Sequence, residues 1–218
     1  MGIAKFATLS DGTVYVAPNA FRKREKKLAK AQRKLSRKEK FSANWRKQAF
    51  RVRKVHKTIS DVRRDFLHKV STMICKNHAV IVVEDLNIKA MSASAKGTLE
   101  NPGNHVNAKS GLNKSILDQG WGAFCRSLEY KLTWLGGSLI VVPAKYTSTS
   151  CSVCGHSCPE NRRMQAIFAC VNCGHTQNAD HNAAQNILAA GRAVVARGEK
   201  SLDISMKQEP TVSAILIA

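Results

Sequence analysis

Two segments of this 218-residue chain repeat one pattern, Cys151-Ser-Val-Cys154-Gly-His and Cys170-Val-Asn-Cys173-Gly-His. Fifteen residues, Gly155 to Ala169, separate the two C-x-x-C pairs, a spacing that reads as a zinc ribbon. Zn²⁺ favours four thiolates in a tetrahedron, and each C-x-x-C turn offers two. The glycine after each second cysteine lets the backbone turn tightly around a metal. Cys151, Cys154, Cys170 and Cys173 are therefore the expected ligands of one structural Zn²⁺. A complete thiolate set leaves no open coordination position, so zinc is not expected to catalyse anything, and His156 and His175 are spare. Arg162, Arg163 and Phe168 lie between the pairs. They have two readings: contact with phosphate and stacking on a base, or ordinary loop and packing roles.

Two carboxylates stand where chemistry could sit. Ala79-Val-Ile-Val-Val-Glu-Asp-Leu86 is an apolar run ending in acids, and Asn178-Ala-Asp180-His-Asn182-Ala-Ala-Gln-Asn186 follows the ribbon. The first has the pattern of a buried central strand, and the second opens a helix. Carboxylates so placed can meet at one sheet edge and hold Mg²⁺ or Mn²⁺ through hard oxygen ligands. Two such ions about 4 Å apart activate water and stabilise the leaving oxygen in phosphodiester cleavage. The other reading makes Glu84 a solvated strand-end acid and Asp180 a helix cap. Asp85 is expected on the opposite strand face, because strand side chains alternate.

The rest of the chain must position these groups and explain its charge. Lys and Arg number 35 against 15 Asp and Glu, a formal net charge of +20, and a protein this basic meets a polyanion. Residues 21–69 hold 20 Lys and Arg against 4 Asp and Glu, so the affinity is concentrated there. A cluster such as Arg22, Lys23, Arg24, Lys26 and Lys27 is expected to contact phosphates, without reading sequence. No apolar run approaches the roughly 20 residues of a membrane span, and the N-terminus has no signal-peptide pattern. Seven cysteines, four of them in metal spacing, suit a reducing compartment, and a cytoplasmic setting is expected. Cys75, Cys125 and Cys158 follow no pattern and read as core or incidental thiols. No membrane partner or small-molecule substrate is expected.

Residues 3–9 and 13–17 read as strands joined at Asp11-Gly12, a hairpin signal. Residues 21–40 read as a helix, Phe41-Ser-Ala-Asn44 as a break with capping residues, and the next thirty or so as a long helix. Its stripe is expected to run through Trp45, Ala49, Val52, Ile59, Val62, Phe66, Val70 and Met73. Residues 87–111 read as a mobile loop, 115–135 as one helix stopped by Gly136-Gly137, and 138–143 as a buried strand. Residues 180–190 read as a short helix ended by Gly191, and 192–218 as a disordered tail.

Several ordered motifs then coincide. Val82-Val-Glu84-Asp-Leu86, Asp118-Gln-Gly-Trp121, Tyr130-Lys131, Lys145-Tyr-Thr-Ser-Thr-Ser-Cys151-Ser-Val-Cys154-Gly and Asn178-Ala-Asp180-His-Asn182-Ala-Ala184 resemble the TnpB (OrfB) family of bacterial insertion-sequence proteins, often called transposases. The resemblance covers about residues 2–191. It implies an α/β fold: an RNase H-like (RuvC) domain carrying a basic helical-hairpin insertion and a Cys₄ zinc-ribbon insert. The implied divisions are a core over 1–147 with the helical insertion at about 21–76, the ribbon over 148–177 and a last core segment over 178–191. It also implies an RNA-guided DNA endonuclease that cuts with a divalent metal, with DNA and guide RNA as partners, and Glu84 and Asp180 as two of three RuvC acids. In the family the opening strand reads G-I-D-x-G-I. Here Gly2-Ile3 matches the last G-I, so the first-strand aspartate falls ahead of Met1. An N-terminally truncated member that binds nucleic acid without cutting it is the expectation. A ribosomal zinc-ribbon protein fits less well, since it needs neither the V-V-E-D-L strand nor the late Asp-x-Asn-Ala-Ala helix.

Overall fold

The structure, a computed structural model, describes residues 3–198 and the backbone of 212–216. In chain order the elements are β1 (Ala7–Leu9), β2 (Val14–Tyr15), α1 (Ala20–Ser36), α2 (Ala43–Asn77), β3 (Val80–Asp85), α3 (Ile88–Met91), α4 (Val106–Gln119), α5 (Trp121–Trp134), β4 (Ser138–Pro143), a 3₁₀ turn (Pro159–Arg162), β5 (Ile167–Ala169), β6 (Thr176–Asn178), α6 (Ala179–Ala196) and β7 (Val212–Leu216). They divide into two compact units. One contains residues 3–17, 69–88, 121–198 and 212–216; the other contains 18–68 and 89–120. The helical unit thus takes in 89–120 as well as the basic stretch.

The first unit is built on a five-stranded sheet of order β2-β1-β7-β3-β4. β1 runs antiparallel to β2 and β7, while β3 runs parallel to β7 and β4. The hairpin forms at Asp11-Gly12, where the Thr13 amide donates to Asp11 Oδ1 at 2.7 Å and Gly12 adopts φ 89°, a left-handed conformation that suits glycine. Its strands are shorter than the sequence suggests. Val80 to Glu84 are all buried and Asp85 is exposed, the pattern of a strand covered on both faces. On one face Val80 and Val82, with Ile140 and Val142 of β4, pack against Ala183, Ala184 and Ile187 of α6. Glu84 lies two residues beyond Val82 and shares that face. In α5, Trp121, Phe124, Leu128 and Leu132 are buried at helical spacing, and Phe124 meets Phe6 edge to face at 4.9 Å. Lys131 is buried on the same helix and donates to Ser71 Oγ and Thr72 Oγ1, each at 2.7 Å.

Three expectations for this unit are corrected. Gly191 does not end α6. It lies inside the helix, where a Cβ would come within 2.4 Å of Val82 Cγ2, so the residue marks a close approach of helix to strand. The expected tail from residue 192 contains the end of α6, through Ala196, and the strand β7; residues 199–211 and 217–218 of that expected tail lie outside the described residues. Five residues give too little periodicity to announce a strand. The stripe on α2 also shifts: Met73 is half exposed, whereas Leu67, Val70 and Ile74 are buried. Over 35 residues a stripe kept at spacings of three and four drifts around a helix of about 3.6 residues per turn.

In the second unit Ala20 and Leu28 of α1 pack on Val55 and Ile59 of α2. The expected break falls at Ser42, whose Oγ accepts from the Trp45 amide at 3.1 Å as an N-cap. The expected loop over 87–111 and single helix over 115–135 become α3, α4 and α5. Gly120, at φ 73°, separates α4 from α5. Asn19 ahead of α1 makes no side-chain cap. The cap comes instead from α4, where the two oxygens of Asp118 accept from the Phe21 amide at 2.9 and 3.1 Å. Arg63 Nη1 stands 3.8 Å from the same buried carboxylate. Replacing Asp118 with alanine is expected to cost about 2 kcal/mol, the upper end for a lost cap. Urea unfolding followed by helical circular dichroism measures it, and an unchanged midpoint would show that water replaces the carboxylate without loss.

Candidate metal centre and acid pair

Each cysteine knuckle closes on itself in the same way. The Cys151 amide donates to the His156 carbonyl at 2.9 Å and the Gly155 amide to the Cys151 carbonyl at 3.0 Å. In the second knuckle Cys170 to His175 measures 2.8 Å and Gly174 to Cys170 3.0 Å. Gly155 and Gly174 take φ values of 74° and 72°. These turns bring all four sulfurs within 4.8 Å of one another. Cys151–Cys173 measures 3.7 Å and Cys154–Cys170 3.6 Å. A tetrahedron of sulfurs about 2.3 Å from Zn²⁺ has edges of about 3.8 Å, so the set fits zinc. The backbone amide of His156 lowers the Cys154 thiol to about 6, with help from Asn172 and the neighbouring thiols. Cys173 goes the other way: the His175 amide lowers it, but its neighbouring cysteines push it up to about 12. Four crowded thiols resist joint ionisation, and a divalent cation removes that resistance.

Asparagines hold the ribbon together and fix it to α6. Asn161, almost wholly buried, donates to the carbonyls of Thr149 and His156 at 2.9 and 3.1 Å and accepts from the Val171 amide at 2.9 Å. It therefore joins both knuckles. Asn182 accepts from the Ser152 amide at 2.9 Å and donates to the Ser150 carbonyl at 2.7 Å. Asn186 donates to the carbonyls of Thr147 and Ser150 at 2.8 and 2.7 Å. The sequence reading missed Asn161 and gave no role to the side chains of Asn182 and Asn186. Their spacing of four on one helix face was the signal available. Phe168 is fully buried against Cys151, Cys170 and Ala179. It packs the ribbon, and the base-stacking reading is withdrawn.

Glu84 is 8 % exposed at the end of β3 and accepts from Thr147 Oγ1 at 2.7 Å. Burial pushes its carboxyl pKa up, against the pull of Thr147 and the Arg162 charge. Asp180 lies in the first turn of α6, but the cap is Asn178, whose Oδ1 accepts from the amides of Asp180 and His181. The Asp180 side chain is thus free of the capping role. Lys5 Nζ lies 3.3 Å from one of its oxygens and Arg162 Nη2 3.8 Å from the other. Arg162 pairs with Asp180, and its charge also pulls the Glu84 carboxyl pKa down against the rise from burial. Arg162 further donates to the Gln165 carbonyl at 3.1 Å, whereas Arg163 is exposed.

Among the described residues the four cysteines are the only group of three or more side chains close enough to share a metal. Glu84 and Asp180 alone do not fit a pair of Mg²⁺ or Mn²⁺ ions, which calls for more hard oxygen ligands than two carboxylates provide. The cationic candidates on α1 separate. Arg24 and Lys27 line a cleft against α2, while Arg22 pairs with Glu25 at 3.2 Å; Lys23 and Lys26 are exposed.

A mixed α/β chain with a thiolate cluster, a buried acid at a strand end and a second acid opening a helix is the class these features define. The chain belongs to the TnpB (OrfB) family of insertion-sequence proteins. The profile of OrfB_IS605, described as "Probable transposase", matches residues 1–95, and that of the "Cas12f1-like, TNB domain" matches residues 121–187. The chain is 56% identical over 211 residues to the "Putative RNA-guided DNA endonuclease InsQ" of Escherichia coli, covering 96% of this chain and 52% of that protein. It is 36% identical over 222 residues to a "Putative RNA-guided DNA endonuclease" of Streptomyces pristinaespiralis, covering 96% of this chain and 50% of that one. The chain therefore spans about half the length of these curated relatives. A Cas12f1–sgRNA–target DNA complex solved by cryo-EM aligns with TM-score 0.48 and 19% identity, over 80% of this chain and 43% of that one. No helix among the described residues is long and apolar enough to cross a membrane.

Proposed function

We propose that this chain is the nucleic-acid-gripping and acid-bearing portion of a TnpB-type RNA-guided DNA endonuclease. In this reading the five-stranded unit is an RNase H-like (RuvC) domain, and the basic helices are its insertion. The ribbon is its target-nucleic-acid-binding insert, Glu84 and Asp180 are two of its acids, and DNA and guide RNA are its partners. The observation that carries the reading is the fixing of the ribbon to the acid-bearing helix by Asn182 and Asn186. A strand held by the ribbon passes beside Glu84 and Asp180. When bound by a complete acid set, divalent metal in such nucleases activates water for phosphodiester cleavage.

A second reading, binding without cleavage, is favoured by two observations. Each oxygen of Asp180 faces a cation, Lys5 or Arg162. The strand parallel to β3 at the centre of the sheet, Val212–Leu216, has no acid in its sequence. The chain is accordingly expected to shift labelled DNA and RNA in a gel but to leave supercoiled plasmid intact with Mg²⁺ or Mn²⁺. Cutting that disappears in Glu84→Gln or Asp180→Asn would overturn the second reading in favour of the full nuclease. Failure to shift any nucleic acid would overturn both.

A further inference from the structure

The helical unit contains a cleft of about 410 Å³ between α1 and α2. Its lining is set by helical period. Arg24, Lys27, Ala31 and Lys34 on α1, and Gln48, Arg51, Val55 and Thr58 on α2, recur at spacings of three and four, so each set forms one face of its helix. Lys30 and Lys54 flank them. Six cations therefore surround one opening: Arg24, Lys27, Lys30, Lys34, Arg51 and Lys54. Among the described residues none of the six forms an ion pair with a carboxylate, while the acids Glu25 and Asp61 pair with Arg22, Lys114, Lys57 and Arg64 outside the cleft.

The floor of the cleft is fixed. Gln48 is 6 % exposed, its Nε2 donates to the Ala31 carbonyl at 3.0 Å, and its Oε1 accepts from Arg51 Nη1 at 3.3 Å. A buried amide thus ties α1 to α2 and holds one of the six cations in place. Like charges collected around a concavity repel one another in the free protein. An arrangement that segregates acids from this opening is suited to an anion seated inside it.

We propose that this cleft seats the sugar–phosphate backbone of one nucleic-acid strand, and that it, rather than the outer cluster at Arg22, Lys23 and Lys26, supplies most of the unit's phosphate contacts. The inference rests on the proposed nucleic-acid-binding function and assigns where that binding occurs. Size selects the occupant. The opening holds only about 410 Å³, whereas the major groove of B-DNA alone is about 12 Å wide. One phosphodiester chain enters such a cleft, whereas a duplex meets only its rims. The apolar floor at Ala31 and Val55 and the aliphatic stems of the lysines accept the sugar faces, and the charged ends reach the phosphates.

The test compares two fourfold neutralised chains with the unaltered chain: Lys27, Lys30, Lys34 and Lys54 to glutamine, and, outside the cleft, Arg22, Lys23, Lys26 and Lys38 to glutamine. Fluorescence anisotropy across a salt series measures binding of a 20-nucleotide single-stranded RNA, the same sequence as DNA, and its duplex. Each lost contact on a single strand removes about 0.7 from the slope of log affinity against log salt. The cleft variant is therefore expected to lose about 3 from its single-strand slope and the control variant less than about 1. Loss on RNA and DNA alike assigns the shared backbone, and loss on RNA alone assigns RNA. Lys→Arg changes at the same four cleft positions keep the charge and are expected to keep the slope, which separates charge from folding. Equal losses in the two glutamine sets, a larger loss on duplex, or a slope lost in the arginine set would overturn the cleft while leaving the proposed function standing. Absence of binding by the unaltered chain would defeat the function itself.

Discussion

Removal of zinc is expected to unfold the ribbon, residues 149–178, to loosen the first turns of α6, and to leave the five-stranded sheet and the other helices in place. The segment has little core of its own, chiefly Phe168 with Cys151, Cys170 and Ala179. Structural zinc contributes on the order of 10 kcal/mol to a small module of this kind. The consequence reaches beyond the ribbon, because Asn182 and Asn186 lose the backbone partners at Thr147, Ser150 and Ser152 that they hold in the folded chain. Hydrogen exchange with and without a chelator reads this directly. The amides of Cys151 and Cys170, bonded to His156 and His175, are expected to lose protection, as are the first turns of α6. Any one Cys→Ser change at the four ligands should act like the chelator. Acid should act the same way, since the ligands bind metal as thiolates and protons compete for them as pH falls. Knuckle amides that stay protected in chelator would show that hydrogen bonds alone hold the ribbon.

The second large effect is expected at Gly191. A Cβ there would stand 2.4 and 2.7 Å from the two methyls of Val82, which is fully buried in β3. Valine is stiff at χ1 and cannot swing aside. Gly191→Ala should therefore destabilise the sheet unit by about 1–3 kcal/mol, the cost of overpacking, even though alanine at an open helix position gains about 1 kcal/mol over glycine. The sign of the change decides the matter, since a glycine present only to end a helix would give no such loss. Val82→Ala alone should also destabilise, by about 2 kcal/mol through the cavity it leaves. The double variant should then be more stable than the sum of the two losses allows, by about 1 kcal/mol or more. Denaturant midpoints of the four proteins complete the cycle, and strict additivity would mean that the helix shifts away from the strand.

What could be read from the sequence follows the range of each interaction. The ribbon was legible because its ligands are paired three positions apart and its turns need only local glycines. The strand carrying Glu84 was legible because an apolar run ending in acids has few other uses. Asp118 shows the limit: its chemistry is a helix cap, but the amide it serves belongs to Phe21, 97 positions earlier. No local pattern connects the two. Gly191 was read as a stop signal because a glycine near a helix end usually is one, and only the position of Val82 shows otherwise. Asp180 looked like a cap for a similar reason, but Asn178 two residues earlier takes that role and frees the carboxylate to pair with Lys5 and Arg162. The long apolar spacing through Ser115 to Leu135 concealed the break at Gly120.

The central position of β7 has a consequence for how the chain assembles. Its partners are distant: Thr8 pairs with Leu216, and Val80 with Val212. In the strand order the hairpin of β1 and β2 and the parallel pair of β3 and β4 join only through β7. During synthesis on the ribosome both pieces exist long before the strand that unites them. Each therefore presents an open edge able to pair with the wrong chain until β7 arrives. Contacts of such sequence separation close slowly, because the entropy of a long loop is lost before any pairing energy returns. The sheet therefore becomes whole only once β7 has been made, and until then its open edges leave the nascent chain exposed to aggregation.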